Sequence, residues 1–249
     1  MDGGAARKIA ALCVSEPGAH VFEIGAGTGA LTLALLESGA RVSAIEIDPD
    51  LIAILRGRRE LAGAEIVQAD ALAYDFESAT AGAGWIAAGN LPYNIATPLV
   101  MRWLALRNPP QRIVVMVQRD VADRFMARPS TPAYGSLSVA VQFSMQVRRA
   151  FVLGPSVFWP RPHVESTLVA MERRAEPAVP VRDRAYFEQV VRAAFAYRRK
   201  TLANSLALAL GIERARVQTA LARLDLDTEI RGEQLDLAAF AALADDLGS

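Results

Sequence analysis

The sequence predicts an α/β protein: a mostly parallel sheet with helices on both faces and an antiparallel edge, followed by a small helical domain. Three observations predict it. Strand-like apolar runs alternate with helix-like stretches up to about residue 128. After Pro129 two strand-like runs follow each other with no helix between them. From Asp183 to Leu247 every pattern is helical.

In chain order, residues 19–24 read as the first strand and 30–37 as a helix. Residues 41–47 form the second strand, and Pro49 opens a helix through Arg58, since proline suits a first helical turn. Residues 64–68 and 84–88 are the third and fourth strands. Thr97 and Pro98 start a helix through Leu106; residues 112–118 are the fifth strand, with a helix near 121–127. Residues 136–147 and 164–172 are read as the two antiparallel edge strands. Residues 176–180 serve as a linker, which places the larger domain at 1–175 and the helical one at 181–249.

Composition excludes several classes. Apolar residues make up 52% of the chain, enough for a sizeable core. No run approaches the ~20 apolar residues of a membrane span, and no signal peptide is evident. Cys13 is the sole cysteine and His20 and His163 the only histidines, so neither an internal disulfide nor a metal cluster is expected, and a cytoplasmic location is. Net charge is zero, but residues 102–174 carry 11 basic and 4 acidic side chains, while residues 221–249 carry 2 and 7. Nearly all the positive charge is arginine, which pairs with phosphate in a bidentate fork and stacks on bases. No apolar patch demands a second copy, so a monomer is expected.

Glycine permits a tight turn and close approach of backbone to a ligand. Gly25, Gly27 and Gly29 follow the first strand and open a helix. Gly25-x-Gly27-x-x-Ala30 also fits a dinucleotide fingerprint, and Glu46, 21 positions after Gly25, can accept both hydroxyls of a ribose. The turn therefore predicts a Rossmann-like site for a nucleoside cofactor. Glu23 and Asp70 favour S-adenosylmethionine over NAD. Glu23 is placed to bind the turn's backbone near the cofactor's ammonium, and Asp70 to accept the adenine amino group.

The sharpest signal is Asn90-Leu91-Pro92-Tyr93 after the fourth strand. The N6 amine of adenine is a poor nucleophile because its lone pair is delocalised into the ring. Acceptance of both N6 hydrogens, by the Asn90 side-chain carbonyl and the Leu91 backbone carbonyl, would localise that pair. Pro92 biases Leu91 away from the helical region and so fixes its carbonyl. Tyr93 offers a face for an extruded base. Asn90 also lies where the cofactor's methyl end is expected.

These residues resemble the ribosomal RNA adenine dimethyltransferases of the kasugamycin-sensitivity type, class I methyltransferases. The resemblance runs from about Lys8 to the C-terminal helices. EIGAGTGALT (23–32), AIEID (44–48) and ADAL (69–72) resemble the cofactor motifs, and GNLPYNIATPL (89–99) the catalytic one. MVQRDVADRFMARPSTPAYGSLSV (116–139), FWPRPHVEST (158–167) and FAYRRKTLANSL (195–206) resemble three further family segments. The resemblance implies that S-adenosylmethionine is the cofactor, with Glu46 on the ribose and Asp70 on the adenine. It implies that Asn90, Leu91 and Tyr93 hold the target adenine, with Phe158 on its other face; a core position is the alternative for Phe158. The implied substrate is a pair of adjacent adenines in small-subunit ribosomal RNA, modified late in assembly. Arg198, Arg199 and Lys200, with Arg119 and Arg124 as part of one basic surface, are the expected phosphate contacts.

The chain departs from the family pattern at Met1-Asp2-Gly3-Gly4, where a Gln-x-Phe-Leu-type segment usually helps enclose the cofactor. Weaker cofactor binding is the expectation. Alternatives are a large-subunit RNA adenine dimethyltransferase, a catalytically impaired assembly factor that binds ribosomal RNA, and, on the glycine turn alone, an NAD oxidoreductase.

Overall fold

The computed structural model describes residues 3–153 and 165–248. Helix α1 (Gly3–Cys13) was not foreseen from periodicity. Its buried Ala5, Ala6, Ile9, Ala10 and Cys13 recur at helical spacing and form one apolar face. Arg112 Nη1 donates to the Leu12 and Cys13 carbonyls (3.0 and 3.2 Å), satisfying the end of α1. Burial pushes the Cys13 thiol up to about 12, which makes it an inert core group.

The alternation then unfolds as β1 (His20–Ile24), α2 (Ala30–Glu37), β2 (Arg41–Glu46), α3 (Pro49–Gly57), β3 (Glu65–Gln68), α4 (Phe76–Thr80), β4 (Ile86–Asn90), α5 (Tyr93–Leu104), β5 (Arg112–Gln118) and α6 (Arg119–Phe125). After α7 (Ser136–Ser144) come β6 (Met145–Leu153) and β7 (Ser166–Arg173). The sheet order is β3-β2-β1-β4-β5-β7-β6. β1 to β5 pair in parallel, and β7 runs antiparallel to β5, from Arg112↔Glu172 to Gln118↔Ser166. β1 has β2 on one side and β4 on the other, the switch point at which a parallel sheet opens a crevice.

Two expectations are corrected. Residues 136–147 were read as a strand from the alternation in Ser-Leu-Ser-Val-Ala-Val, yet Ser136–Ser144 is helical. Its polar residues explain why. Ser138 Oγ donates to the Arg124 carbonyl (2.6 Å), and Gln142 Nε2 to the Phe125 and Ala127 carbonyls (3.1 and 2.8 Å). On a helix, residues four apart are neighbours on one face, close enough to reach the adjoining carbonyls of the same chain end. Second, α5 begins at Tyr93 rather than at Thr97, with Pro98 inside it. The Pro92 carbonyl accepts from Ile95 and Ala96 (3.1 Å each), so the helix nucleates directly behind Pro92.

The chain divides into two compact units: Met1–Ala122 with Gln146–Arg173, and Asp123–Met145 with Arg174–Ser249. The second unit thus recruits α7 and the turn before it, which the sequence reading placed with the sheet. Its helices α8 (Arg184–Ala196), α9 (Leu202–Leu210), α10 (Arg214–Arg223) and α11 (Leu237–Leu247) enclose their own core. Phe143 of α7 stacks on Phe187 at 4.6 Å between centroids, and Tyr134 Oη donates to the Leu235 carbonyl at 2.9 Å. No helix of the described residues is long and apolar enough to cross a membrane.

Gly89 lets β4 lie against β1. At φ +155°, a Cβ there would stand 2.4 Å from the Ile24 carbonyl oxygen, which is backbone and cannot yield. Gly89→Ala is therefore expected to destabilise the protein by about 2 kcal/mol or more, read as a lowered denaturation midpoint. An unchanged midpoint would refute the strain.

Candidate active site

The carboxyl ends of β1, β2, β3 and β4 bring Gly25, Gly27, Glu46, Asp70 and Asn90 to one edge of the sheet. β1 ends at Ile24, and the chain enters the glycine turn at Gly25 (φ +70°) and Gly27 (φ +58°), both left-handed. A Cβ on Gly25 would lie 3.8 Å from the Asn90 carbonyl oxygen, so the turn passes close to the end of β4.

Glu46 is 7% exposed and holds this turn. Its Oε2 accepts the Gly27 N–H at 2.9 Å; its Oε1 accepts the Ile47 and Asp48 N–H groups at 2.9 and 3.2 Å. A carboxylate has about four acceptor positions. Three are taken, and Oε2 is the oxygen with room for a ribose hydroxyl. Of the two ribose hydroxyls expected on Glu46, the second would have to share or displace a backbone donor in this geometry.

Glu23 is 1% exposed. Its Oε2 accepts the Thr32 hydroxyl at 2.5 Å, one turn into α2. Burial raises the carboxyl to about 8; the Thr32 hydrogen bond opposes this, and the Glu46 charge adds to it. Glu23 therefore holds a proton at neutral pH and sits under the turn as a neutral support.

The β2–β3 ladder continues one bond further, Ala69 N–H to the Glu46 carbonyl (3.0 Å), which brings the chain to Asp70 beside the end of β2. Asp70 is exposed, and its Oδ1 accepts the Leu72 N–H at 2.8 Å, leaving Oδ2 directed by a fixed turn. Asn90 is the last residue of β4, paired with Met116, and is exposed. Leu91 is buried and donates its N–H to the Met116 carbonyl at 2.9 Å, and Pro92 (φ −57°, ψ 147°) turns the chain into α5. Tyr93 is the first residue of α5; its side chain and the whole of Phe158 lie outside the described residues.

The basic candidates behave differently from one another. Arg119 and Arg124 are both exposed on α6, but five positions turn a helix by about 140°, so they leave it on different sides. Arg119 also pairs with Glu165 at 3.3 Å. Arg198 Nη2 donates to the Pro132 and Tyr134 carbonyls (3.3 Å each) and meets Glu233 at 3.5 Å, a structural tie. Arg199 and Lys200 are exposed in the turn after α8.

Three supporting residues escaped the sequence reading. Thr32 lies inside the EIGAGTGALT segment, where nothing in the sequence marks it. Arg58 Nη1 donates to the Thr28 carbonyl at 2.5 Å across the glycine turn. Arg102 donates to the Ala71 and Tyr74 carbonyls (3.0 and 2.7 Å) and so fixes the loop behind Asp70. The two arginines act from 30 or so residues away, and no local pattern marks them.

A mainly parallel sheet of this order, with a glycine turn after β1 and a carboxylate at the end of β2, defines a class I methyltransferase fold. The chain belongs to the ribosomal RNA adenine dimethylase family, whose model matches residues 5–243. It is 40% identical to ribosomal RNA small subunit methyltransferase A of Streptococcus gordonii, over 100% of this chain and 89% of that protein. It is 43% identical to the protein of that name from Streptococcus sanguinis, over 92% and 82% respectively. Among solved structures, a dimethyladenosine transferase from Plasmodium falciparum superposes with a TM-score of 0.78 at 24% identity, over 96% of this chain and 94% of that one. The 23S rRNA methyltransferase ErmE gives 0.73 at 23%, over 100% and 99%.

The raised Glu23 carboxyl has a measurable consequence. The unfolded chain releases this proton near the ordinary value of 4.5, the folded chain only near 8. The stability it confers is full below the lower value and is lost as pH rises through the upper one. Glu23→Gln is expected to flatten the fall in urea midpoint between about pH 5 and pH 8. Parallel profiles for the two proteins would show that Glu23 is ionised in the fold.

Proposed function

We propose that this chain uses S-adenosylmethionine to dimethylate N6 of two adjacent adenines in small-subunit ribosomal RNA, in the cytoplasm and as a monomer. The family, and the names of its relatives, support the reaction and the substrate. The observation that carries the reading is the fixed Asn90-Leu91-Pro92 turn at the end of β4, directly across from the glycine turn that Glu46 holds.

The residues at the carboxyl edge fit the cofactor. Glu46 Oε2 has room for a ribose hydroxyl, Asp70 faces solvent where an adenine amino group would arrive, and the positive-φ glycines present backbone rather than side chain. S-adenosylmethionine supplies an electrophilic methyl group when bound. The chain's part is to position the acceptor amine. The Asn90 amide oxygen and the Leu91 carbonyl accept the two N6 hydrogens and draw the lone pair out of the ring, toward an in-line displacement. The Leu91 N–H bond to Met116 keeps that carbonyl in place. Tyr93 and Phe158 take the faces of the extruded base. Arg119, Arg124, Arg198, Arg199 and Lys200 are exposed and take phosphates.

Asn90→Ala should lower methyl transfer by at least about a hundredfold while calorimetric affinity for S-adenosylmethionine stays within about twofold. Glu46→Ala should instead weaken that affinity at least about tenfold. An active Asn90→Ala protein would sink the catalytic assignment. Intact affinity in Glu46→Ala would sink the ribose assignment.

A further inference from the structure

One edge of the first unit carries chemistry that methyl transfer does not use. β6 ends the sheet order, and among the described residues no strand lies beyond it. Its sequence, MQVRRAFVL, holds two arginines and no acid, and α1, GGAARKIAALC, is likewise without an acid. Arg148, Arg149 and Lys8 are exposed. Phe151 is 39% exposed and Val152 50%, whereas the other described phenylalanines are buried or half-buried. The Lys8 ammonium stands 5.5 Å from the centre of the Phe151 ring, which joins α1 to the edge in one cationic and aromatic strip.

Strand alternation puts Arg149 with Phe151 on one face and Arg148 on the other. A ligand lying along the open edge can meet both guanidiniums. An exposed ring with cations nearby suits unpaired nucleic acid: the cations follow the phosphates and the ring stacks a base. Charged edge residues also keep strands of other molecules from pairing, but that duty needs no exposed phenylalanine.

We propose that this edge docks an unpaired stretch of the RNA substrate, with Lys8, Arg148 and Arg149 on phosphates and Phe151 stacked on a base. The inference rests on the reading that the substrate is RNA. It adds to that reading a second contact surface on the first unit, at the β6 end of the sheet, away from Asn90 on β4.

The test uses the full chain and its Arg148→Glu/Arg149→Glu and Phe151→Ala variants. The probes are a short labelled single-stranded RNA, a duplex of the same sequence, and small subunits lacking the modification. The charge-reversed protein should bind the single strand about tenfold more weakly, with its salt slope reduced by about 1.4, roughly 0.7 per lost phosphate contact. Phe151→Ala should weaken single-strand binding about fivefold or more with the slope unchanged, and duplex binding little. All variants should keep wild-type affinity for S-adenosylmethionine, which shows them folded. Unchanged RNA binding would overturn the proposal and leave the arginines as guards of the edge. Equal losses on strand and duplex would remove the unpaired stretch as the occupant. A loss seen only with intact subunits would point to a protein partner and overturn it as well. If the wild-type chain binds the strand in this way yet methylates no subunits, the functional reading fails and the docking strip stands.

Discussion

Three backbone N–H groups converge on the Glu46 carboxylate, and much of the first unit's working edge depends on that convergence. The Gly27 bond spans from β2 to the turn after β1, so a single side chain fixes how the glycine turn meets the neighbouring strand. The bonds from Ile47 and Asp48 hold the chain as it leaves β2. From there Asp48 caps α3 through the Asp50 N–H. A carboxylate this deeply buried is costly unless its lone pairs are occupied. Charge-assisted bonds to backbone meet that requirement and still leave Oε2 one position for a ligand. Glu23, on the adjoining strand, cannot then ionise cheaply as well. Burial is the main reason it keeps its proton, the Glu46 charge adds to that, and the bond to Thr32 works against it.

The strands and the ends that carry chemistry were legible because their signals are local. Gly25-x-Gly27 and Asn90-Leu91-Pro92-Tyr93 each specify backbone conformation within a few residues, and the apolar runs of β1, β2 and β5 could hardly be exposed. What stayed hidden depends on distant partners. Ser138 and Gln142 read as the polar half of a strand until the carbonyls at the end of α6 supply a reason for a helix. The small residues of α1 become core only against α2 and β5. Arg58 and Arg102 are indistinguishable from surface charge until the carbonyls they bind are in place.

The arginine count in residues 102–174 carried the expectation of an RNA surface, and the structure divides that count. Arg102, Arg112, Arg173 and Arg174 donate to backbone carbonyls and serve the fold. Arg119 shares its charge with Glu165. Arg148 and Arg149 are exposed on β6. Net charge therefore describes this chain poorly, and the local surroundings of each guanidinium decide whether it holds the fold or meets solvent.

The most direct test is transfer of labelled methyl groups from S-adenosylmethionine by this 249-residue chain to small ribosomal subunits that lack the modification. The account predicts incorporation into small-subunit RNA, with N6,N6-dimethyladenine as the labelled nucleoside after digestion. Label in large-subunit RNA instead, or none despite measurable cofactor binding, would contradict it.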